Sequence, residues 1–305
     1  MHPFMMNAME EILDLVSPKS GVNLIILIGP TGVGKTALCE KLIQRTARDY
    51  ADQLNSDTCI IPAIMVAAPS IGAKAFSMKH FMEIMLEALC EPMIDRKLTP
   101  DHLTEGYKLP FHMTSHRITH SAVRLATGKA LQERNTQYVI VDEAAHILEG
   151  TSIATQINAL KSLSDMTNSK FVLVGSYDLY KIISVNGQLA RRCHVVHFPR
   201  YANDTKIEKH HFTKVAQKLS SLMELRSEVV LDPYLPTLLE ASVGCIGILK
   251  DSLQRAYSLC LRRQSGKWTS KALESSLLRK SSTKTILREA LDGEEMISEN
   301  EVWRL

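Results

Sequence analysis

The sequence predicts an α/β fold: a central parallel sheet of five strands with a smaller helical region behind it in the chain. Three observations lead there. Five short apolar runs, at residues 23–28, 59–68, 137–143, 171–176 and 193–198, read as strands, several of them continuous enough to be buried on both faces. The segments between them, notably 37–45, 75–89 and 114–134, place apolar residues at helical spacing. From residue 203 onward the pattern is helical, over 205–223, 233–241, 246–264 and a last segment within 270–291.

The first strand, Leu24-Ile25-Ile26-Leu27-Ile28, runs straight into Gly29-Pro30-Thr31-Gly32-Val33-Gly34-Lys35-Thr36, a G-x-x-x-x-G-K-T phosphate-binding loop. A strand, a glycine-rich turn and a helix N-terminus aim several backbone N–H groups and the positive end of a helix dipole at one point. Phosphates fit that point. Gly29, Gly32 and Gly34 let the backbone approach closely, Lys35 reaches the β- and γ-phosphates, and the Thr36 hydroxyl ligates Mg²⁺.

The second strand spans 59–68, with Pro62 near its start, because proline cannot donate to a ladder in mid-strand. The third carries Tyr138-Val139-Ile140-Val141 into Asp142-Glu143, a second nucleotide motif (Walker B). There Asp142 is expected to hold Mg²⁺ through water and Glu143 to polarise the attacking water. A whole strand and helix separate the two motifs in sequence, which predicts an extra strand between theirs in the sheet. No N-K-x-D guanine-reading motif is present, so ATP is the expected nucleotide. Residues 171–176, ending in Ser176, and residues 193–198 complete the strands.

The chain has 305 residues, 45% hydrophobic and 23% charged, an ordinary balance for a globular protein. No apolar run approaches the roughly 20 residues that span a bilayer, and the start lacks a secretion signal. Six scattered cysteines without a C-x-x-C pair read as reduced thiols of a cytoplasmic protein. The net charge of +3 is unevenly spread: residues 1–199 balance, residues 200–288 hold 16 basic against 8 acidic side chains, and residues 289–305 hold 6 acidic against 1 basic. A basic helical third points to a polyanion such as DNA.

Together these motifs resemble the AAA+ ATPases, and within them the TniB/TnsC group of transposition regulators, with phage MuB a more distant relative. The resemblance rests on residues 29–36, 138–143 and 172–176, on the arginine pair in 188–192, and on Gly244-Cys245-Ile246-Gly247-Ile248-Leu249, which is similar to the G-x-I-G-x-L opening of a lid helix. It implies an N-terminal extension (1–22), an AAA+ nucleotide-binding domain (23–203), a helical lid (204–288) and an acidic tail (289–305). It further implies that Ser176 is a sensor of the γ-phosphate, and that Arg191 or Arg192 reaches into a neighbouring subunit's ATP. Ile248 falls where many lids carry a sensor arginine or lysine, with Lys250 two residues on. DNA contacts are implied at residues 69–79, with Lys74 and Lys79 as phosphate-binding candidates. The implied function is ATP- and Mg²⁺-dependent oligomerisation, as a ring or helical filament, on double-stranded DNA. The implied partners are a transposase and a target-selection protein, with no membrane involved. The alternative is a nucleotide switch in signalling or defence that does not bind DNA.

Other features carry less. His112, His116 and His120 share a helical face, but no carboxylate or cysteine cluster completes a metal site. Thirteen methionines read as gap-fillers of the core. Residues 6–16 are expected to form a short helical stretch, with Ile12, Leu13 and Val16 near the nucleotide base. The acidic tail is expected to be disordered.

Overall fold

A computed structural model describes residues 2–17, 20–70, 76–92, 94, 120–149, 153–183, 187–202, 205–223, 225, 229–262 and 266–300. They fall into two compact units. A sheet unit comprises residues 11–27 and 36–196, and a helical unit comprises residues 1–10, 28–35 and 197–305.

The sheet has five strands: β1 (Leu24–Ile28), β2 (Ala63–Ala67), β3 (Tyr138–Asp142), β4 (Lys170–Gly175) and β5 (Cys193–His197), in the order β2-β3-β4-β1-β5. It is parallel throughout, with Ala63 opposite Tyr138 and Tyr138 opposite Lys170 in register. β1 is buried at every residue and β4 at all but its last, as strands covered on both faces are. β2 begins directly after Pro62, whose carbonyl accepts the Gln137 N–H at 2.8 Å. The strand separating β1 from β3 is β4, which follows the Asp-Glu motif in the chain. β2, the strand between the motifs in sequence, lies at the edge. Sequence spacing counts strands; their lateral order is set by which faces the helices bury.

Helices α1 (Pro3–Val16), α2 (Lys35–Asp49), α3 (Ala51–Ser56), α4 (Met78–Ala88), α5 (His120–Glu133), α6 (Ile153–Thr167) and the short α7 (Gly187–Ala190) accompany the strands. Ser77 caps α4, its hydroxyl accepting the His80 N–H. α4 packs on α5, and α5 on α6. α1 is longer than the sequence suggested, starting at Pro3 in the favoured first helical position. Met5, Ala8, Met9 and Ile12 make its buried stripe. Leu13 and Val16 line a cavity with Thr46, Tyr50 and Tyr138, beside the last turn of α2 and the first residue of β3. That is the far end of α2 from its phosphate-loop start, so the expectation that they flank the base is corrected.

The helical unit holds α8 (Lys206–Ser220), α9 (Leu235–Ala241), α10 (Ile246–Arg262), α11 (Ser270–Ser276) and α12 (Lys280–Asn300). Thr205 and Thr269 cap α8 and α11 through their hydroxyls. Tyr201, Phe212, Leu238, Leu249, Leu253 and Leu273 are among the side chains of its core. The acidic segment departs from expectation: α12 continues through it to Asn300, with Ala290 and Ile297 buried. Arg200 grips Glu294 with two parallel bonds, Nε to Oε1 at 2.9 Å and Nη2 to Oε2 at 3.0 Å. An amphipathic stripe and a bidentate ion pair order what composition alone marks as solvated.

Among the described residues no helix is long and apolar enough to cross a membrane, and no cluster of three metal-ligating side chains occurs. His120 opens α5 and is exposed; His112, His116 and residues 301–305 lie outside the described residues.

Candidate functional site

Glycine shapes the loop after β1. A Cβ on Gly29 would collide with the Phe198 carbonyl oxygen, and one on Gly32 would lie 2.6 Å from Ile248 Cγ1. Gly32 and Gly34 have φ of +77° and +114°, backbone that side chains rarely adopt. The Gly247 N–H at the start of α10 donates to the Gly32 carbonyl at 2.6 Å. Lys35 Nζ donates to the carbonyls of Gly29 (2.8 Å) and Pro30 (3.0 Å), so its ammonium sits over the loop's own first residues. Pro30 and Val33 are buried and Thr31 is exposed; the Val33 N–H donates to the Pro30 carbonyl at 3.3 Å. A cradle of backbone rather than side chains, an ammonium and the first turn of a helix form a donor set suited to a polyphosphate.

In the sheet unit, the Thr36 hydroxyl donates to Asp142 Oδ2 at 2.8 Å. Asp142 ends β3, and its other oxygen, Oδ1, accepts the Glu143 N–H at 2.8 Å. The Ala68 N–H, after β2, donates to the Asp142 carbonyl at 2.9 Å and fixes the strand end from the other side. The Thr36 hydroxyl and the Asp142 carboxylate bring two hard oxygen donors side by side, a donor set whose chemistry suits Mg²⁺.

Glu143 is left-handed (φ +52°) with its side chain 70% exposed. A residue with a Cβ gives up about 1–2 kcal/mol to sit there, the kind of backbone strain that clusters at working positions. His146 Nε2 approaches Glu143 Oε2 at 3.9 Å while its Nδ1 bonds Glu149 Oε1 at 2.9 Å. The sequence reading missed His146, though its three-residue offset from Glu143 was a visible signal. Ser176 follows β4 and immediately precedes a 3-10 turn (Tyr177–Ile182); its hydroxyl makes a long 3.4 Å bond to Asp178, which Lys181 holds at 2.7 Å. A Cβ on Gly175 would lie 3.7 Å from the Ala145 N, so the turn carrying Ser176 lies against the turn that follows Glu143. Thr36, Asp142, Glu143 and Ser176 thus gather at the carboxyl ends of adjacent strands.

The arginines do not join them. Arg191 and Arg192 precede β5 at the amino ends of the strands; Arg191 is exposed, and Arg192 Nη1 donates to Asp165 Oδ1 at 2.6 Å. Lys79 lies in the first turn of α4 with its Nζ 3.7 Å from Glu83 Oε1. Lys74 lies outside the described residues. In the helical unit, Ile248 is buried against Gly32, while Lys250 is exposed.

The family described as "AAA domain" matches residues 19–183, more than half of the chain. No curated protein matches it significantly. Among solved structures, the fold is similar to the Aeropyrum pernix ORC2 protein in its ADPNP–ADP complexes (15% identity, 90% of this chain and 65% of that one covered, TM-score 0.57). It is similar to the Aeropyrum pernix ORC1 protein in complex with DNA (15%, 90% and 65%, TM-score 0.57). It is also similar to a Walker-type ATPase of Pyrococcus abyssi (17%, 97% and 75%, TM-score 0.53). The chain spans just under two thirds of the two Aeropyrum chains.

Proposed function

This chain belongs to the AAA-domain family of P-loop ATPases, and we propose that it couples ATP binding to assembly on double-stranded DNA as a regulator of transposition. The observation that carries the ATPase half is the Thr36–Asp142–Glu143 arrangement. One carboxylate is held by a loop hydroxyl and a backbone N–H, and the next is left exposed on a strained backbone.

Lys35 and the loop N–H groups hold the β- and γ-phosphates. Thr36, and Asp142 through water, would hold Mg²⁺, which would supply positive charge against the phosphate oxygens. Glu143 orients the attacking water and takes its proton; Ser176 positions that water or the γ-phosphate. Arg191 or Arg192 completes the site of a neighbouring copy, which makes hydrolysis dependent on assembly. Arg191 suits that role better, because Arg192 is committed to Asp165.

The DNA half is supported by the basic helical third of the chain, by the resemblance to transposition regulators, and by a fold shared with an ORC1 protein solved in complex with DNA. On this reading subunits form a ring or filament that recruits a transposase, a target-selection protein chooses the site, and hydrolysis disassembles the polymer. Lys79 and Lys74 make sequence-independent phosphate contacts repeated along it.

The test is electron microscopy of the chain with duplex DNA and ATP, ADP or a non-hydrolysable analogue, alongside a salt titration of DNA affinity. Rings or filaments formed only with the triphosphate, with affinity falling steeply as salt rises, support the reading. Monomers in every condition overturn it and leave a nucleotide switch acting on protein partners.

A further inference from the structure

We propose that the sheet unit carries a second oxyanion site, a pocket for a phosphate group at the amino ends of β1, β4 and β5 with Lys170 in its wall. The cavity measures about 310 Å³ and is lined by Asn23, Ser164, Asp165, Lys170, Arg191 and Arg192, among others. Lys170, the first residue of β4, is only 8% exposed, yet its ammonium has no hydrogen bond or ion pair among the described residues. The carboxylate in the wall is already engaged, since Asp165 Oδ1 accepts from Arg192 Nη1 at 2.6 Å and from Asn23 Nδ2 at 2.9 Å. Asn23 is itself buried and fixed to Ser164 at 3.0 Å.

The electrostatics ask for an anion. Three cations face one carboxylate, a surplus of two positive charges around a polar cavity. The Lys170 stem is packed away while its ammonium opens to the cavity, and desolvation lowers its pKa against the partial opposition of Asp165. A phosphate supplies the missing charge and acceptor oxygens, which an arginine fork and an ammonium recognise together. At about 30 Å³ per water, the volume admits a phosphate with part of its hydration.

Two sources offer this chemistry: free inorganic phosphate, the product of the proposed hydrolysis, and the terminal phosphate of a nucleotide on a second copy. The second source rests on the ATPase reading; the first does not. The test is calorimetric titration of inorganic phosphate into the Lys35→Ala chain, whose phosphate loop is disabled, and into the same chain carrying Lys170→Met or Arg191→Ala. Saturable binding that weakens about tenfold or more in both double variants establishes the site for free phosphate. Arg191 is exposed, so its loss tests the pocket even if Lys170→Met fails to fold. The second arm is sedimentation of the otherwise native chain with a non-hydrolysable triphosphate. If Lys35→Ala ignores phosphate, but Lys170→Met abolishes triphosphate-driven assembly while nucleotide affinity is kept, the occupant is the neighbour's nucleotide. Absence of phosphate binding together with unchanged assembly overturns the proposal. Failure of the native chain to bind any nucleotide refutes the ATPase reading alone, because the phosphate titration still decides the pocket.

Discussion

Replacing Gly32 with alanine tests how tightly the phosphate loop is built against α10. The left-handed backbone at φ +77° costs a non-glycine residue about 1–2 kcal/mol. The new Cβ would lie 2.6 Å from Ile248 Cγ1 and 3.3 Å from Ile248 Cδ1, inside the roughly 3.5–4.0 Å preferred by carbon pairs. Ile248 is buried and the loop is tied to α10 by the Gly247–Gly32 hydrogen bond, so relief is overpacking at about 1–3 kcal/mol. Gly32→Ala is therefore expected to destabilise the protein by about 2–5 kcal/mol and to weaken nucleotide binding. Truncating Ile248 to alanine removes both clashing atoms, so in that background the same substitution should cost only the backbone part, about 1–2 kcal/mol. Urea unfolding of the native chain, both single variants and the double variant measures the coupling directly. Equal cost of Gly32→Ala in the two backgrounds refutes the close approach of loop and helix.

Three further outcomes are expected. Glu143→Gln should retain nucleotide affinity and lower the hydrolysis rate about 10²–10⁴-fold in a single-turnover assay, since it removes the proton acceptor and leaves Asp142 intact. His2 is buried, with Tyr201 bonded to its Nδ1 at 3.0 Å and its Nε2 without a partner among the described residues, and burial above all, with His211 adding, pushes its pKa down to about 4. The unfolded chain binds this proton first, so stability is full above about pH 6.5 and is lost as pH falls toward about 4; His2→Phe should flatten that part of a pH–melting profile. Glu294→Ala should cost about 1–3 kcal/mol in thermal unfolding, because it strands the largely buried Arg200 guanidinium; no loss would return the acidic segment to the solvated state its composition suggests.

Much of this was legible in the residues. The phosphate loop is local: its glycines, Lys35 and Thr36 act through a strand, a turn and a helix N-terminus that lie next to one another in the chain, so spacing alone fixes their chemistry. The Asp142-Glu143 ending of β3 is legible for the same reason. Tertiary structure decided what depends on residues far apart in sequence. It put β4 rather than β2 between the two motif strands, because lateral order follows from how helices cover the sheet. It put Ile248 against Gly32, because α10 starts beside the loop. It pinned Arg192 to Asp165 and left Lys170 with no ion pair among the described residues, and no sequence pattern records which of several nearby charges a carboxylate meets. It folded the acidic stretch as far as Asn300 into α12, because Arg200, 94 positions away from Glu294, supplies the pairing charge. Local motifs write themselves into sequence; burial and charge pairing are properties of the packed chain.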